Sequence, residues 1–275
     1  MADERQHDDH GHGHGLEFDL ARLLQQRRGR RGVLALLGGG GVAAAVVSYA
    51  PGVLAAEACT IDATETAGPF PGDGSNAARG ATSNILAESG VVRSDIRSSF
   101  GVSTNTAAGV PLTLTITIAD ASKGCAPLPG YSIYIWHCTQ DGLYSLYTAP
   151  DENYLRGVQV ADADGRVSFT TVFPGCYPGR WPHIHFEVYP SLGSATSHDN
   201  AVLTSQFALP KDVCAAVYAG ASGYEQSAAN LPQISIRGDM VFADNSDAET
   251  KVMTPAFTGD PKSGYAARAM VGLAV

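Results

Sequence analysis

Leu112-Thr-Leu-Thr-Ile-Thr-Ile118 alternates a large apolar side chain with a threonine at every step. Successive side chains on a strand point to opposite faces, so this pattern belongs to a strand with one face in a core and one in water. A helix would scatter the same residues around its axis. Tyr131–His137 alternates again, with Ile133, Ile135 and His137 on one side. Residues 166–173, 183–189, 201–207, 234–242 and 268–275 are further strand candidates. Turn pairs separate many of them: Pro129-Gly130, Asp141-Gly142, Asp164-Gly165 and Pro174-Gly175. Short strands punctuated in this way predict an all-β sandwich of mainly antiparallel strands, with long loops and one or two short helices. Residues 65–101 are rich in Gly, Ala and Ser and read as loop wrapping the sandwich, with room for a short helix. Residues 211–229 read as one helix.

The 275 residues are 44% hydrophobic and 16% charged, the balance of a globular chain. A net charge of −9 argues against a nucleic-acid partner, which needs clustered Lys and Arg. The first 58 residues read as separate from the rest. His7, His10, His12 and His14 lie in a polar head; Arg27, Arg28, Arg30 and Arg31 follow; a small, apolar run then extends from Val33 to Ala50. Basic, then apolar, then small residues is the order of an export signal. Arg30-Arg31 before Gly-Val-Leu-Ala-Leu-Leu resembles a twin-arginine signal. A membrane span needs ~20 apolar residues, and the glycines at 38–41 weaken a helix, so no stable anchor is expected. Ala56-Glu-Ala58 offers a small-x-small cleavage site. The expectation is an export signal with a His-rich leader over 1–58, one β-sandwich domain over 59–275, and an extracellular or cell-envelope location.

Cys59, Cys125, Cys138, Cys176 and Cys214 would all survive cleavage. Export favours disulfides. Five is odd, so one thiol stays free or Cys59 is modified, for example by lipid, though Glu57 fits a lipobox poorly. Connectivity is not readable from sequence.

The chemistry-bearing residues gather between 141 and 185. His183 and His185 are two apart on a strand and share one face with Glu187, leaving Ile184, Phe186 and Val188 for a core. Imidazoles ~7 Å apart along a strand can converge on one ion. His-x-His alone is also an ordinary polar face. Cupins use it with a glutamate four or five residues on, and here Glu187 is only two on. Tyr144 and Tyr177 sit in turns beside that strand; each alone reads as a packing residue. Two phenolates and two imidazoles together form a donor set suited to ferric iron. Arg180, three residues before His183, carries a permanent charge able to stabilise developing anionic oxygen.

These pieces resemble the intradiol ring-cleavage dioxygenases, the catechol and protocatechuate dioxygenase group. The resemblance is carried by Ile135-Trp136-His137-Cys138, Gly142-Leu-Tyr144-Ser, Leu155-Arg-Gly157, Asp162-Ala-Asp-Gly165, Pro174-Gly-Cys-Tyr177-Pro-Gly-Arg180 and His183-Ile-His185-Phe, with Glu65-Thr-Ala-Gly68-Pro69-Phe70 upstream. It implies a β-sandwich holding non-haem Fe(III) through Tyr144, Tyr177, His183 and His185. It implies Arg180 as the active-site arginine, Gln206 as the residue that helps position substrate, and Tyr177 as the ligand that gives way and accepts a substrate proton. Its substrates would be a small aromatic diol and O2, and its product a cis,cis-muconate-type diacid. Only five residues separate Tyr177 from His183, which resembles a secreted, dioxygenase-like branch with a more open pocket. The helical dimerisation segment of catechol dioxygenases has no counterpart, so oligomeric state stays open. Among substrates, catechol, protocatechuate, hydroxyquinol and larger lignin-derived phenols are all compatible. A secreted, non-catalytic β-sandwich binding module is the competing reading.

Overall fold

The computed structural model describes residues 59–101 and 103–275. The export leader expected over 1–58 lies outside the described residues. Strands run β1 Asp73–Ala78, β2 Ala81–Asn84, β3 Pro111–Asp120, β4 Ala126–Pro127, β5 Ser132–Trp136, β6 Arg156–Val160, β7 Arg166–Val172, β8 His183–Tyr189 and β9 Leu203–Ala208. Helices α1 Lys211–Gly220, α2 Glu225–Asn230 and α3 Asp247–Val252 follow, then β10 Ala256–Asp260 and β11 Gly264–Leu273.

Two sheets face one another. The larger is ordered β10-β11-β3, with β7 and the short β4 also paired to β3. Its β11 runs parallel to β3, and its other pairings are antiparallel. The smaller is β6-β5-β8-β9, antiparallel throughout. Leu112, Leu114, Ile116 and Ile118 of β3 and Phe169 of β7 meet Ile133, Ile135, Ile184, Phe186, Val188 and Phe207 in one buried core. Each such side chain taken from water contributes about 1.5–3 kcal/mol. The alternation in β3, β5 and β8 therefore faces the sheets as expected.

The chain before β3 seals the open sides. Ile96 N and Thr170 N exchange bonds with Thr170 O and Ser94 O, while Arg93 N and Val158 N bond Val158 O and Val91 O. Residues 91–96 thus pair with β6 and β7 at once. Opposite them, Asp62 N bonds Gly272 O and Glu65 N bonds Thr204 O, joining β11 to β9. Edge strands left bare invite pairing with other chains, and these segments cover them.

Several expectations need correction. Residues 73–84 form a hairpin, turning at Arg79 and Gly80, both at positive φ as a two-residue hairpin turn requires. The helix expected over 211–229 is two, α1 and α2, separated around Gly223. Residues 234–242 form no strand. Ser235 Oγ accepts Gly238 N, and Asp239 Oδ1 accepts Val241 N and Phe242 N, so side chains claim the amides that a ladder would need. Strands β6 and β10 were not anticipated. Cys59 pairs with Cys125, their Cα atoms 5.6 Å apart. Three thiols rather than one stay free, Cys138, Cys176 and Cys214, all buried. With its sulfur in the bridge, Cys59 has none left for a lipid. No helix among the described residues is long and apolar enough to cross a membrane.

Candidate metal centre

The outer face of the smaller sheet is the unusual surface of this molecule. It is polar and aromatic, yet buried. Arg156, Trp136, His185 and Gln206 stand opposite one another across β6, β5, β8 and β9, forming one lateral row. His183 lies one step along the same face of β8. The cover comes from two loops: residues 62–72, and the turn-rich stretch between β5 and β6. Phe70 of the first packs on Tyr144 of the second, ring centroids 5.1 Å apart.

Four predicted residues converge. Tyr144 Oη and Tyr177 Oη each lie 3.2 Å from His183 Nε2, and His185 Nε2 lies 3.1 Å from it. His183 Nδ1 donates to Trp181 O at 2.5 Å, which leaves Nε2 a bare lone pair. One lone pair takes one hydrogen bond in line, so hydrogen bonding does not account for three approaches to a single nitrogen. Donors at right angles around an ion with bonds of ~2.1 Å stand ~3 Å apart, which is the spacing here. Two phenol oxygens and two imidazole nitrogens thus fit a hard, highly charged cation. Among the described residues no group of three His, Cys, Asp or Glu gathers as a metal site, so a set here depends on the tyrosines.

Burial governs the protonation of the metal-free set. It lowers His183 to about 3, helped by the Arg180 charge, and holds His185 well below the ordinary imidazole range. Burial, then the neighbouring Tyr177, raises Tyr144 well above the usual phenol range. The imidazoles are therefore neutral and ready to donate lone pairs. The phenol would lose its proton only to a nearby cation, which inverts the local balance. Tyr144, His183 and His185 are buried, whereas Tyr177 is half-buried beside exposed Pro178 and Gly179. Solvent therefore reaches the cluster from the Tyr177 side. Gly142, at φ +86°, packs directly against Tyr177: a Cβ there would sit 3.0 Å from Tyr177 Cβ.

Arg180 joins the cluster from one flank. Its Nη1 lies 3.5 Å from Tyr177 Oη, its Nη2 donates to Gln206 Oε1 at 2.7 Å, and its Nε donates to Asp239 Oδ2 at 2.9 Å. Gln206 Nε2 donates to Thr66 O at 2.8 Å, tying this flank to the covering loop. Sequence reasoning missed Asp239. Buried, it also accepts Trp181 N at 2.6 Å, and the adjacent guanidinium favours its ionised form. Its only signal was a lone acid within an apparent strand. Sequence reasoning also gave Arg156 no role. Fully buried, it donates to Phe70 O, Pro71 O, Ser145 O, Ser145 Oγ and the Tyr134 hydroxyl, bolting both covering loops to the sheet. His137, quoted in the same motif as Trp136, stays outside. It is hydrogen-bonded to Thr171 and Cys138, and burial lowers it to about 4.

Residues 95–216 match the protein-family model described as Dioxygenase. The fold is similar to that of an intradiol ring-cleavage dioxygenase from Tetranychus urticae, with TM-score 0.58 and 22% identity over 78% of this chain and 94% of that one. Catechol 1,2-dioxygenase from Pseudomonas arvilla C-1 aligns with TM-score 0.46 and 17% identity, over 76% of this chain and 61% of that one. A search of curated proteins found no match. The Dioxygenase match spans the strands that carry the cluster, and the fold is shared with that solved intradiol ring-cleavage dioxygenase.

Proposed function

We propose that this chain holds non-haem Fe(III) through Tyr144, Tyr177, His183 and His185. With O2 it cleaves an aromatic diol between the two hydroxyl-bearing carbons, giving a cis,cis-muconate-type diacid. The observation carrying this reading is the approach of Tyr144, Tyr177 and His185 to the single nitrogen His183 Nε2. Bound ferric iron would lower the pKa of the diol hydroxyls and make the diolate reactive toward O2.

The chain's own residues supply the rest. Tyr177, the least buried of the four, yields to the incoming diol and accepts a hydroxyl proton at Oη. Arg180 then faces the anionic ring with a charge fixed in place by Asp239, so stabilisation needs no reorganisation as charge moves. Gln206, gripped between Arg180 and Thr66 O, presents a rigid amide beside it. Phe70 and Tyr144 close the apolar side and limit water. The protein acts after export by the twin-arginine route, and the Cys59–Cys125 bridge supports that location, since disulfides persist in oxidising compartments.

The test is a visible spectrum of the purified protein with iron quantified, before and after adding catechol under nitrogen. A tyrosinate-to-iron absorption band that shifts with catechol is expected, and Tyr177→Phe should alter the band and slow substrate binding. A protein that stays colourless and iron-free after reconstitution would favour a non-catalytic binding module.

A further inference from the structure

The two histidines of the cluster are held by different means. His183 has a partner on its outer nitrogen, the Trp181 carbonyl at 2.5 Å. His185 has none: its Nδ1 is buried without a hydrogen-bond partner. A metal-bound imidazole ordinarily gives that outer N–H to a carboxylate, carbonyl or water, which fixes the tautomer and aims the ring. The aim of His185 must come from elsewhere.

Trp136 stands directly opposite His185 in the register of β5 and β8. Its ring lies on the imidazole, with centroids 4.8 Å apart and planes 5° from parallel. Tyr134 stacks on the indole in turn, at 4.9 Å and 21°. Tyr134 is anchored at its far end, donating to Pro71 O at 2.7 Å and accepting from Arg156 Nη1 at 3.0 Å. The column therefore ends on the buried arginine that bolts down the covering loops. Trp136 Nε1 itself has no hydrogen-bond partner, so polar bonding does not explain an indole at this position.

We infer that Trp136 is the positioning residue of His185, aiming its Nε2 by ring stacking where His183 is aimed by a hydrogen bond. A near-parallel stack blocks rotation of the imidazole about its Cβ–Cγ bond, because any turn drives the ring edge into the indole face. It does not add electron density through Nδ1, as a hydrogen-bond acceptor would. The two imidazoles are thereby unequal donors: His183 is the more basic, and His185 is the weaker and depends on its wall.

The experiment compares wild type with Trp136→Phe, which keeps a stacking face, and with Trp136→Leu and Trp136→Met, which do not. Two non-aromatic variants guard against one failing to fold. In the metal-free proteins, imidazole nitrogen NMR should give one sharp His185 signal set in wild type and Trp136→Phe. It should broaden or split in the non-aromatic variants, and more strongly than the signals of His183. In the metal arm, which rests on the ferric reading above, iron affinity should fall about 10-fold or more in the non-aromatic variants and stay near wild type in Trp136→Phe. Unchanged His185 signals in the non-aromatic variants would overturn the inference, as would equal losses in Trp136→Phe and Trp136→Leu. A wild type that takes no iron would refute the ferric reading, while the metal-free NMR would still decide the role of Trp136.

Discussion

The two faces of the smaller sheet are both buried, but they are built on opposite rules. The inner face carries Ile133, Ile135, Ile184, Phe186, Val188 and Phe207, and it is covered by another sheet. The outer face carries Tyr134, Trp136, Arg156, His183, His185 and Gln206, and it is covered by loops. Sheet-on-sheet packing asks only for apolar volume and tolerates changes that conserve it. Loop cover brings backbone carbonyls within reach, so polar side chains on that face can be buried, bonded and aimed. His183, His185 and Gln206 stand on the rigid strands, while the loops bring Tyr144, Tyr177 and Arg180 to them.

The sharpest way to break the contrast is Arg156→Met. It would orphan the carbonyls of Phe70 and Ser145 and leave Pro71 O with Tyr134 alone, and unpaired buried acceptors cost ~1–3 kcal/mol each. Chemical denaturation should show a loss of about 5 kcal/mol; a loss below about 1 kcal/mol would mean the covering loops are held by their own packing. The next comparison pairs one change on each side. Phe169→Ala in the inner core should cost about 3–5 kcal/mol and leave iron per folded molecule unchanged. His185→Ala should empty the centre of iron while costing the metal-free protein far less. Full iron occupancy in His185→Ala would sink its assignment as a ligand. The smallest effect tests burial at the edge seal. Burial raises the Asp62 carboxyl to about 7, against a backbone bond from Gly272 that opposes the shift. A raised carboxyl contributes fully below its unfolded value near 3.8, and the contribution is lost as pH climbs through 7. Asp62→Asn should therefore gain on wild type as pH rises from 4 to 7. Parallel stability–pH profiles for the two proteins would contradict that.

Strands β3, β5, β7, β8 and β9 were legible because period-two alternation separates the two faces of a strand directly. Residues 234–242 alternate just as well and mislead, since Ser235 and Asp239 spend their side chains on local amides. The hairpin at 73–84 was illegible for the opposite reason: its Gly, Ala, Ser and Asn carry no hydrophobic period. At the cluster, His183, His185, Tyr144, Tyr177 and Arg180 were singled out by type and spacing, and the fold brings them together with Gln206. Asp239 and Arg156 could not be found in that way. The partners that give them their roles lie fifty-eight residues or more away, Trp181 for Asp239 and Phe70 and Pro71 for Arg156, and only the folded chain reveals them.

The parallel pairing of β11 with β3 sets the timing of folding. Tyr265 pairs with Leu112 and Leu273 with Asp120, and β11 lies inside the larger sheet, between β10 and β3. In chain order β7 precedes the helices and β11 follows them, so one side of β3 can be paired well before a partner for its other side has been made. Contacts between residues so distant in sequence are slow to form, and a waiting, half-paired strand is exposed to aggregation. The polypeptide thus emerges as an incomplete sandwich. Its core closes only when β11 arrives, which makes the interval before that arrival the period when a chaperone has most to protect.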